Sequence, residues 1–239
     1  SQLDHGDKSW LNHVREDGRI PAVAIHNGTV TARCRHMYVT SVPKKGVKYA
    51  SRMRELFTVP PGRRLTGWDA SGLEARIMAH YLARFDGGNY AKLVLAGDVH
   101  TLTVNALGTL LDNWEGIADT RRDLAKTTFY AWLFGAGDWK LGYGLGFDPG
   151  TGPDDRNCEA VYMGRKARAA LLKGVPGLED LVASIKGAVK RQGYLVTLDG
   201  RKVRIRSAHS GVNFAFQSGG AIGRKQATAE LHRILAEDQ

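Results

Sequence analysis

The sequence predicts an α+β fold, with short strands toward both ends and a helical region between them. Apolar residues recur at four-residue steps from Leu73 onward, which is the spacing of an amphipathic helix. Near the other end, apolar and basic residues alternate around Asp199-Gly200, which is typical of a β-hairpin. Before Leu73, prolines and glycines interrupt the chain often, which favours short strands joined by turns.

The region before Leu73 is predicted to open with a helix over residues 2–17. Trp10, Leu11 and Val14 would share one face of that helix, and Asp17-Gly18 would end it. An extended, turn-rich stretch follows to about residue 48. Short strands are predicted at 57–59 and 65–68, on either side of a Pro-Pro-Gly turn.

Beyond Leu73 the apolar spacing predicts a series of helices and then one hairpin. The first helix starts at Leu73, and others cover about residues 89–96, 100–107, 120–134, 155–173 and 177–191. Thr120 is the predicted N-cap of its helix, and Gly135 and Gly137 are the predicted stops. Residues 194–206 form the hairpin, for which Asp199-Gly200 suits a two-residue type I′ turn. The last helix starts near residue 212.

The composition is that of a folded, basic protein. Of 239 residues, 43% are hydrophobic and 24% are charged, and the net charge is +10. A chain of this length buries a substantial core, and its positive charge favours a polyanionic partner, chiefly nucleic acid. A basic protein without such a partner is the alternative. The two cysteines belong to no Cys-x-x-Cys pair, which indicates a reducing compartment and argues against structural zinc.

The sequence shows no targeting or membrane-spanning segment. No apolar run reaches the roughly 18 residues that a transmembrane helix needs, and no secretory signal opens the chain. Because the first residue is Ser1 and not Met, we expect the chain to be an internal part of a longer protein.

Asp69 and Glu74 are candidate functional carboxylates with simpler alternatives. Asp69 lies between a predicted strand and a predicted helix, where a carboxylate can bind Mg²⁺ together with substrate phosphates. An aspartate that only starts a helix is the alternative. Ser71-x-x-Glu74 also matches a capping box, in which Glu74 would do no more than accept a backbone N–H.

The helix predicted over residues 120–134 carries the most informative pattern. Arg122, Lys126, Tyr130 and Phe134 are each four residues apart and therefore lie on one face. The two cations can bind triphosphate oxygens, and a ring further along can stack on a base. The alternative is an amphipathic helix whose basic side chains only cover apolar surface.

Three further groups suit nucleic-acid chemistry, each with a simpler reading. His100 can donate to a phosphate or be a surface histidine. The basic residues of the 201–206 strand can bind phosphates or form a solvated edge. Asn213 and Gln217, one helical turn apart, can hydrogen-bond acceptors in the minor groove, or they can face water.

Taken in order, these blocks resemble the family A (bacterial Pol I-like) DNA polymerases, and the likeness is greatest to the replicative polymerases of short-tailed phages. The resemblance covers essentially the whole chain. It rests on Trp10-Leu11, Asp17-Gly18-Arg19-Ile20, Thr29-Val30-Thr31-Ala32-Arg33, Asp69-Ala-Ser-Gly-Leu-Glu74, Ala83-Arg-Phe-Asp-Gly-Gly-Asn-Tyr90, Gly97-Asp-Val-His-Thr101, Ala125-Lys126, Leu198-Asp-Gly-Arg-Lys-Val-Arg-Ile-Arg-Ser207 and Asn213-x3-Gln217-Ser218.

The resemblance implies an incomplete right-hand polymerase fold. It would consist of a partial antiparallel palm sheet with a helical fingers subdomain inserted. Residues 1–82 would form the N-terminal part of the palm with a thumb-proximal segment. Residues 83–192 would form the fingers, and residues 193–239 would continue the palm.

The resemblance also implies an activity, which is DNA-directed DNA synthesis with two Mg²⁺ ions. A primer 3′-OH would attack the α-phosphate of a dNTP between two metals about 3.5–4 Å apart. Asp69 and the Ala70 carbonyl would bind metal, and Asp69 and Lys126 would be catalytic. The implied partners are primer–template DNA and dNTPs, with room for a processivity factor or a complementing polymerase chain, in the cytoplasm of a bacterial host.

Each remaining candidate receives a role from the same resemblance. Glu74 would be the steric gate against a ribose 2′-OH, and Tyr130 would stack near the nascent base pair. A tyrosine there goes with ready use of dideoxynucleotides. The implied nucleotide-binding residues are Glu74, His100, Arg122, Lys126, Tyr130 and Phe134, and the implied DNA contacts are Arg33, Arg54, His209, Asn213 and Gln217.

Two departures from the family pattern fall beside the gate. The family usually has Gly where this chain has Ala131, and Tyr where it has Phe134. That tyrosine hydroxyl normally steadies the gate glutamate. We therefore expect Glu74 to lack this partner and to discriminate less well against ribonucleotides.

A third departure is an omission. The second metal carboxylate of the family lies in a His-Asp-Glu motif beyond the position of Gln217, and no His-Asp-Glu occurs in this sequence. Because loss of a metal ligand typically costs orders of magnitude in rate, we expect the polypeptide alone to be nearly inactive. One alternative is a DNA- and nucleotide-binding module completed by a partner chain. Another is a single-subunit RNA polymerase, against which Glu74 argues.

Overall fold

The computed structural model describes residues 9–40, 42–43, 46–97, 101–108, 110 and 118–237, except the side chains of 118–121. The chain divides into two compact units, Ser1–Ala70 and Ser71–Gln239. The first unit contains a short 3-10 helix at Trp10–His13, two strands and one helix. The strands are β1 (Val23–Ile25) and β2 (Arg35–Met37), paired antiparallel, and the helix is α1 (Ala50–Glu55).

The first unit differs from the sequence prediction in three elements. The helix predicted over residues 2–17 is wrong for its described part, because Val14 is already extended and Arg15–Arg19 backbone bonds close a turn instead. One 3-10 turn is enough to bury Trp10, whose ring meets Phe57 edge-on at 6.4 Å between centroids. The strands predicted at 57–59 and 65–68 are irregular backbone that pairs with no described strand.

The second unit is mostly helical, as predicted, and the observed helix bounds lie close to the predicted ones. None of the described helices is long and apolar enough to cross a membrane. In chain order the unit contains α2 (Leu73–Asp86), α3 (Asn89–Leu95), α4 (Thr101–Gly108), α5 (Ala118–Leu133), α6 (Asp138–Gly144), α7 (Glu159–Gly174), α8 (Leu178–Gln192), β3 (Tyr194–Val196), β4 (Lys202–Arg204) and α9 (Ala208–Glu237).

A single apolar core joins most of these helices. Met78 and Leu82 of α2, Phe129 of α5, Leu171 of α7 and Phe216 of α9 are each at most 1% exposed and belong to one cluster. Burial of each such side chain contributes roughly 1.5–3 kcal/mol to folding. The core therefore decides which face of each helix is left to meet a ligand.

Three local predictions, for the hairpin turn and for the beginnings of two helices, are corrected. Val196 pairs with Lys202, and the Thr197 N–H donates to the Arg201 carbonyl, so the loop has three residues and only Gly200 has positive φ. This is not the two-residue type I′ turn. Helix α5 begins at Ala118, so Thr120 lies inside it. Helix α7 begins four residues later than predicted, because the Asp155 carboxylate accepts the Asn157 N–H and holds a turn.

Helix α6 was not predicted, and one glycine in α6 and one in α7 explain why it forms. A Cβ at Gly142 would lie 1.9 Å from the Ala160 carbonyl oxygen, and one at Gly164 would lie 1.8 Å from the Asp138 carbonyl oxygen. Backbones of α6 and α7 therefore touch at two points. Glycine is unfavourable in an isolated helix, so local propensity hides α6 and only its contact with α7 accounts for it.

We predict that Gly142→Ala lowers the free energy of unfolding by about 1–3 kcal/mol or more, because the added methyl overlaps backbone that cannot give way. Gly144→Ala is the matched control in the same helix, since a Cβ there meets nothing within 4 Å. Urea unfolding followed by circular dichroism measures both. Equal stability of the two variants would show that the close approach does not exist.

Candidate nucleotide-binding site

Helix α5 separates the predicted functional stripe from the core. Ala125, Phe129 and Leu133 are at most 1% exposed, whereas Arg122 and Lys126 are exposed. Tyr130 is half-buried and Phe134, one residue past the helix, is 44% exposed. Neither cation forms an ion pair with any described residue. The side of α5 that carries Arg122, Lys126, Tyr130 and Phe134, called the α5 stripe below, is thus open to an anion.

Tyr130 and Phe134 form the aromatic end of the α5 stripe. Their ring centroids are 6.3 Å apart and their planes differ by 25°, so the rings are stacked. The Tyr130 hydroxyl lies over the beginning of α2, since a Cβ at Gly72 would be 3.6 Å from the Tyr130 Oη. Burial raises the pKa of the Tyr130 phenol above its usual value, and the Glu74 carboxylate raises it further.

The start of α2 is built on backbone, not on a capping box. The N-cap is Gly72, in the left-handed region at φ 60°, and no side chain caps the helix. The Arg76 side chain instead donates to the Ser71 carbonyl at 2.9 Å. Glu74 is half-buried in the first turn, where the helix dipole favours a negative charge. The Glu74 carboxylate therefore does not cap the helix, and its charge acts on neighbouring groups, which include the Tyr130 phenol.

The end of α5 is tied to α9 by one side chain. Gly135 has φ 81° and breaks the helix, and the Asn213 Nδ2 donates to the Phe134 carbonyl at 3.1 Å. The Asn213 Oδ1 is buried and accepts no hydrogen bond from the described residues. Asn213 and the exposed His209 line a small cleft with Arg168, whose guanidinium binds the Asp138 carboxylate and the Ala136 carbonyl.

The remaining predicted residues lie on α9, in the first unit or outside the described residues. Gln217 is half-buried on α9, one turn after Asn213. Asp69, Ala70, Arg33 and Arg54 belong to the first unit, where Asp69 is exposed. The Arg54 side chain there donates to the Pro43 carbonyl at 2.9 Å. His100 lies outside the described residues, and among those described no three His, Cys, Asp or Glu side chains cluster as a metal site would require.

Tyr90 is a neighbour of the site that the sequence prediction missed. It is 2% exposed on α3, and burial followed by the effect of Tyr130 raises its pKa. An aromatic residue at an apolar position of a short helix looks like any core residue. Only the tertiary contact with the α5 stripe reveals it.

Comparison with known proteins decides the family. The family described as DNA polymerase family A matches residues 8–235. The chain belongs to DNA polymerase family A. The predicted resemblance and the α+β class of an incomplete polymerase fold are therefore confirmed.

The relatives of this family A chain include phage enzymes. The DNA-directed DNA polymerases of Escherichia phage T7 and Enterobacteria phage T3 are each 34% identical to it over 99% of its length. The corresponding enzyme of Escherichia phage Phieco32 is 26% identical over 94%. The chain spans about a third of the T7 and T3 proteins, 34% of each.

A solved structure supports the fold of this family A chain. The POL domain of Pol1 from M. smegmatis, in complex with DNA primer-template and dNTP, superposes with a TM-score of 0.62 at 20% identity. The match covers 89% of this chain and 36% of that one.

We predict that Glu74→Gln lowers the pKa of Tyr130, because removing a neighbouring negative charge makes the phenolate less costly. ¹³C NMR of labelled tyrosine measures it, and Tyr130→Phe identifies the signal among the eight tyrosines. Glu179→Gln, an exposed change on α8, is the control and should leave this pKa unchanged. An unaltered Tyr130 pKa in Glu74→Gln would show that the Glu74 carboxylate does not lie close to the Tyr130 hydroxyl.

Proposed function

We propose that the chain is part of a DNA-directed DNA polymerase and supplies the surface that binds the incoming dNTP against primer–template DNA. The observation that carries this proposal is the α5 stripe, in which two exposed cations, with no ion-pair partner among the described residues, and two stacked rings lie in a row beside Glu74. Membership of family A and the phage relatives support it. In this proposal the protein works in the cytoplasm of a bacterial host.

In the proposed reaction the two ends of the α5 stripe have different roles. The primer 3′-OH attacks the α-phosphate of the dNTP, a new phosphodiester forms and diphosphate leaves. Arg122 and Lys126 bind the oxygens of the triphosphate and offset charge that develops as the α–β bond breaks. His100 adds a donor in this proposal. Tyr130 stacks against the nascent base pair, and Phe134 supports its ring.

The described residues offer only part of the metal ligands that such a reaction requires. Bound Mg²⁺ would stabilise charge on the α-phosphate and lower the pKa of the primer hydroxyl. Asp69 offers a carboxylate and Ala70 a carbonyl, which are oxygen donors that Mg²⁺ accepts. Among the described residues no three His, Cys, Asp or Glu side chains cluster. In this proposal Asp69 therefore binds one metal, and nucleotide binding is the more direct test of this chain.

The DNA contacts and subdomains remain predictions within this proposal. In this proposal Arg33, Arg54, His209 and Gln217 contact primer–template DNA. Each is an exposed or half-buried polar group. Asn213 combines this task with its bond to the Phe134 carbonyl. The proposed division is palm with a thumb-proximal segment at 1–82, fingers at 83–192 and palm again at 193–239.

The gate against ribonucleotides depends in this proposal on Tyr130 as well as Glu74. Phe134 has no hydroxyl to offer the gate glutamate. The Tyr130 hydroxyl, one turn earlier, lies at the start of α2 where Glu74 stands. A hydroxyl beside the carboxylate limits the positions that Glu74 can adopt, which in turn limits the space for a 2′-OH. Weaker discrimination than in a site with both hydroxyls stays a prediction.

A second candidate function is binding without turnover, in which a partner chain supplies a second metal-binding carboxylate. The observation that favours it is that no three His, Cys, Asp or Glu side chains cluster among the described residues. Nucleotide-dependent binding without Mg²⁺-dependent primer extension by the purified chain would support this function. Extension at a rate typical of a polymerase would rule it out.

We predict that Lys126→Ala weakens dNTP binding about tenfold to a hundredfold and leaves primer–template binding largely unchanged. The physical reason is that a charge-assisted hydrogen bond to phosphate is worth about 1.5–3 kcal/mol. Fluorescence titration of dNTP onto the chain with a dideoxy-terminated primer–template measures it. Lys166→Ala, an exposed cation on α7, is the control. If both variants bind dNTP equally well, the α5 stripe is not the nucleotide site.

We predict that Tyr130→Phe lowers the preference for dCTP over rCTP in the same titration, because Glu74 loses the neighbouring hydroxyl. Tyr162→Phe, at an exposed tyrosine of α7, should keep the full preference. Phe134→Tyr added to Tyr130→Phe should restore part of it. An unchanged preference in Tyr130→Phe would exclude Tyr130 from the gate.

A further inference from the structure

One short segment outside the α5 stripe carries a net charge equal to half of the net charge of the whole chain. Residues 190–206 contain six Lys and Arg side chains and one acidic side chain, a net charge of +5 within a total of +10. The six cations are Lys190, Arg191, Arg201, Lys202, Arg204 and Arg206. Like charges so close together repel each other, so such a cluster costs stability unless an anion meets it.

The hairpin directs its cations to one side. Tyr194 pairs with Arg204 and Val196 with Lys202, and residues paired in this way point to the same face of the sheet. Lys202, Arg204 and Arg206 are exposed, while Ile205 is buried. On the opposite face Leu195 and Val203 pack against the buried residues around Val189. The outer face formed by Tyr194, Val196, Lys202, Arg204 and Arg206 is called the cationic hairpin face below.

The one acidic residue of the segment does not neutralise this face. The Asp199 carboxylate accepts hydrogen bonds from the Thr197 hydroxyl and from the Arg201 side chain, the latter at 2.7 Å. These bonds, with Thr197 first, hold the pKa of Asp199 below its usual value. Lys202, Arg204 and Arg206 form no ion pair with any described residue. Lys202 Nζ lies 5.6 Å from the centre of the Tyr194 ring.

Neighbouring elements extend the face in two directions. Lys190 and Arg191 are exposed in the last turn of α8, which packs against β3. Arg206 comes three residues before His209 at the start of α9, which continues to Asn213. The cationic hairpin face therefore adjoins, in the chain, the helix already proposed to meet DNA.

We propose that the cationic hairpin face binds the phosphate backbone of nucleic acid, as an extension of the primer–template path beyond His209. Cations two residues apart on a strand are spaced by about 6.6 Å, so several can engage one backbone. The half-buried Tyr194 ring among them adds a surface for an unpaired base. Continuity with α9 favours nucleic acid over an acidic protein. This inference rests on the proposed DNA binding, but it concerns residues that the resemblance leaves without a role.

The test is the salt dependence of DNA binding by the full 239-residue chain. We expect Lys202→Ala, Arg204→Ala and Arg206→Ala together to weaken binding and to reduce the slope of log K against log salt. Each lost phosphate contact lowers the slope by about 0.9 for duplex and about 0.7 for a single strand. Fluorescence anisotropy on a blunt duplex and on a primer–template with a 5′ overhang distinguishes contacts with duplex from contacts with a single strand. A loss confined to the overhang substrate places a single strand on the face.

Two controls isolate the face from overall charge and from folding. Lys140→Ala, Arg156→Ala and Lys166→Ala together remove the same charge from exposed positions on or beside α6 and α7, and should leave the slope nearly unchanged. Arg204→Lys with Arg206→Lys keeps the charge and should keep the slope. Because all altered side chains are exposed, thermal unfolding of each variant should match that of the parent.

Several outcomes overturn the inference. An unchanged slope in the hairpin triple variant, or an equal loss in the α6–α7 triple variant, would show that the face makes no contact of its own. Loss of binding to a poly-glutamate peptide with DNA binding intact would assign the face to an acidic protein. If the parent chain binds DNA through this face but binds no dNTP, the nucleotide site is wrong and the present inference stands.

Discussion

The burial of one side of α5 is the constraint on which the site depends. Phe129 and Leu133 are almost fully enclosed in the core that α2, α7, α8 and α9 share, so α5 cannot rotate about its axis without exposing them. The opposite side is then fixed as the one that presents Arg122 and Lys126. Among the described residues no hydrogen bond or ion pair orients these cations. Packing therefore decides that these two charges and two rings stand in a row beside the first turn of α2.

The elements that could be predicted are those in which local pattern and burial agree. The four-residue apolar spacing located α2, α5, α7 and α8 to within a few residues, because in each the apolar face is the buried one. The alternation of Lys202, Val203, Arg204 and Ile205 likewise predicted which side of β4 faces the core. The α5 stripe followed from the same rule. Its separation from the core needed no tertiary information.

The elements that could not be predicted depend on contacts between distant parts of the chain. Helix α6 contains glycines that local preference would exclude, and it exists because Gly142 lies directly on the backbone of α7. The capping box at Ser71 fits the sequence, yet Gly72 takes the N-cap with a backbone conformation that few other residues adopt. The bond from Asn213 to the Phe134 carbonyl joins positions 79 residues apart. No sequence pattern indicates such a bond.

The uneven charge of the chain also has a kinetic meaning. A segment of seventeen residues, the last turn of α8 with the hairpin, that carries half of the net charge creates a local field instead of a uniform one. The field orients an approaching polyanion before it contacts the protein, so more encounters begin in a productive orientation. Added salt shortens the range of that field to about 8–10 Å and removes the orientation first. The rate of encounter would then fall with ionic strength even where the final contacts, once made, are unchanged.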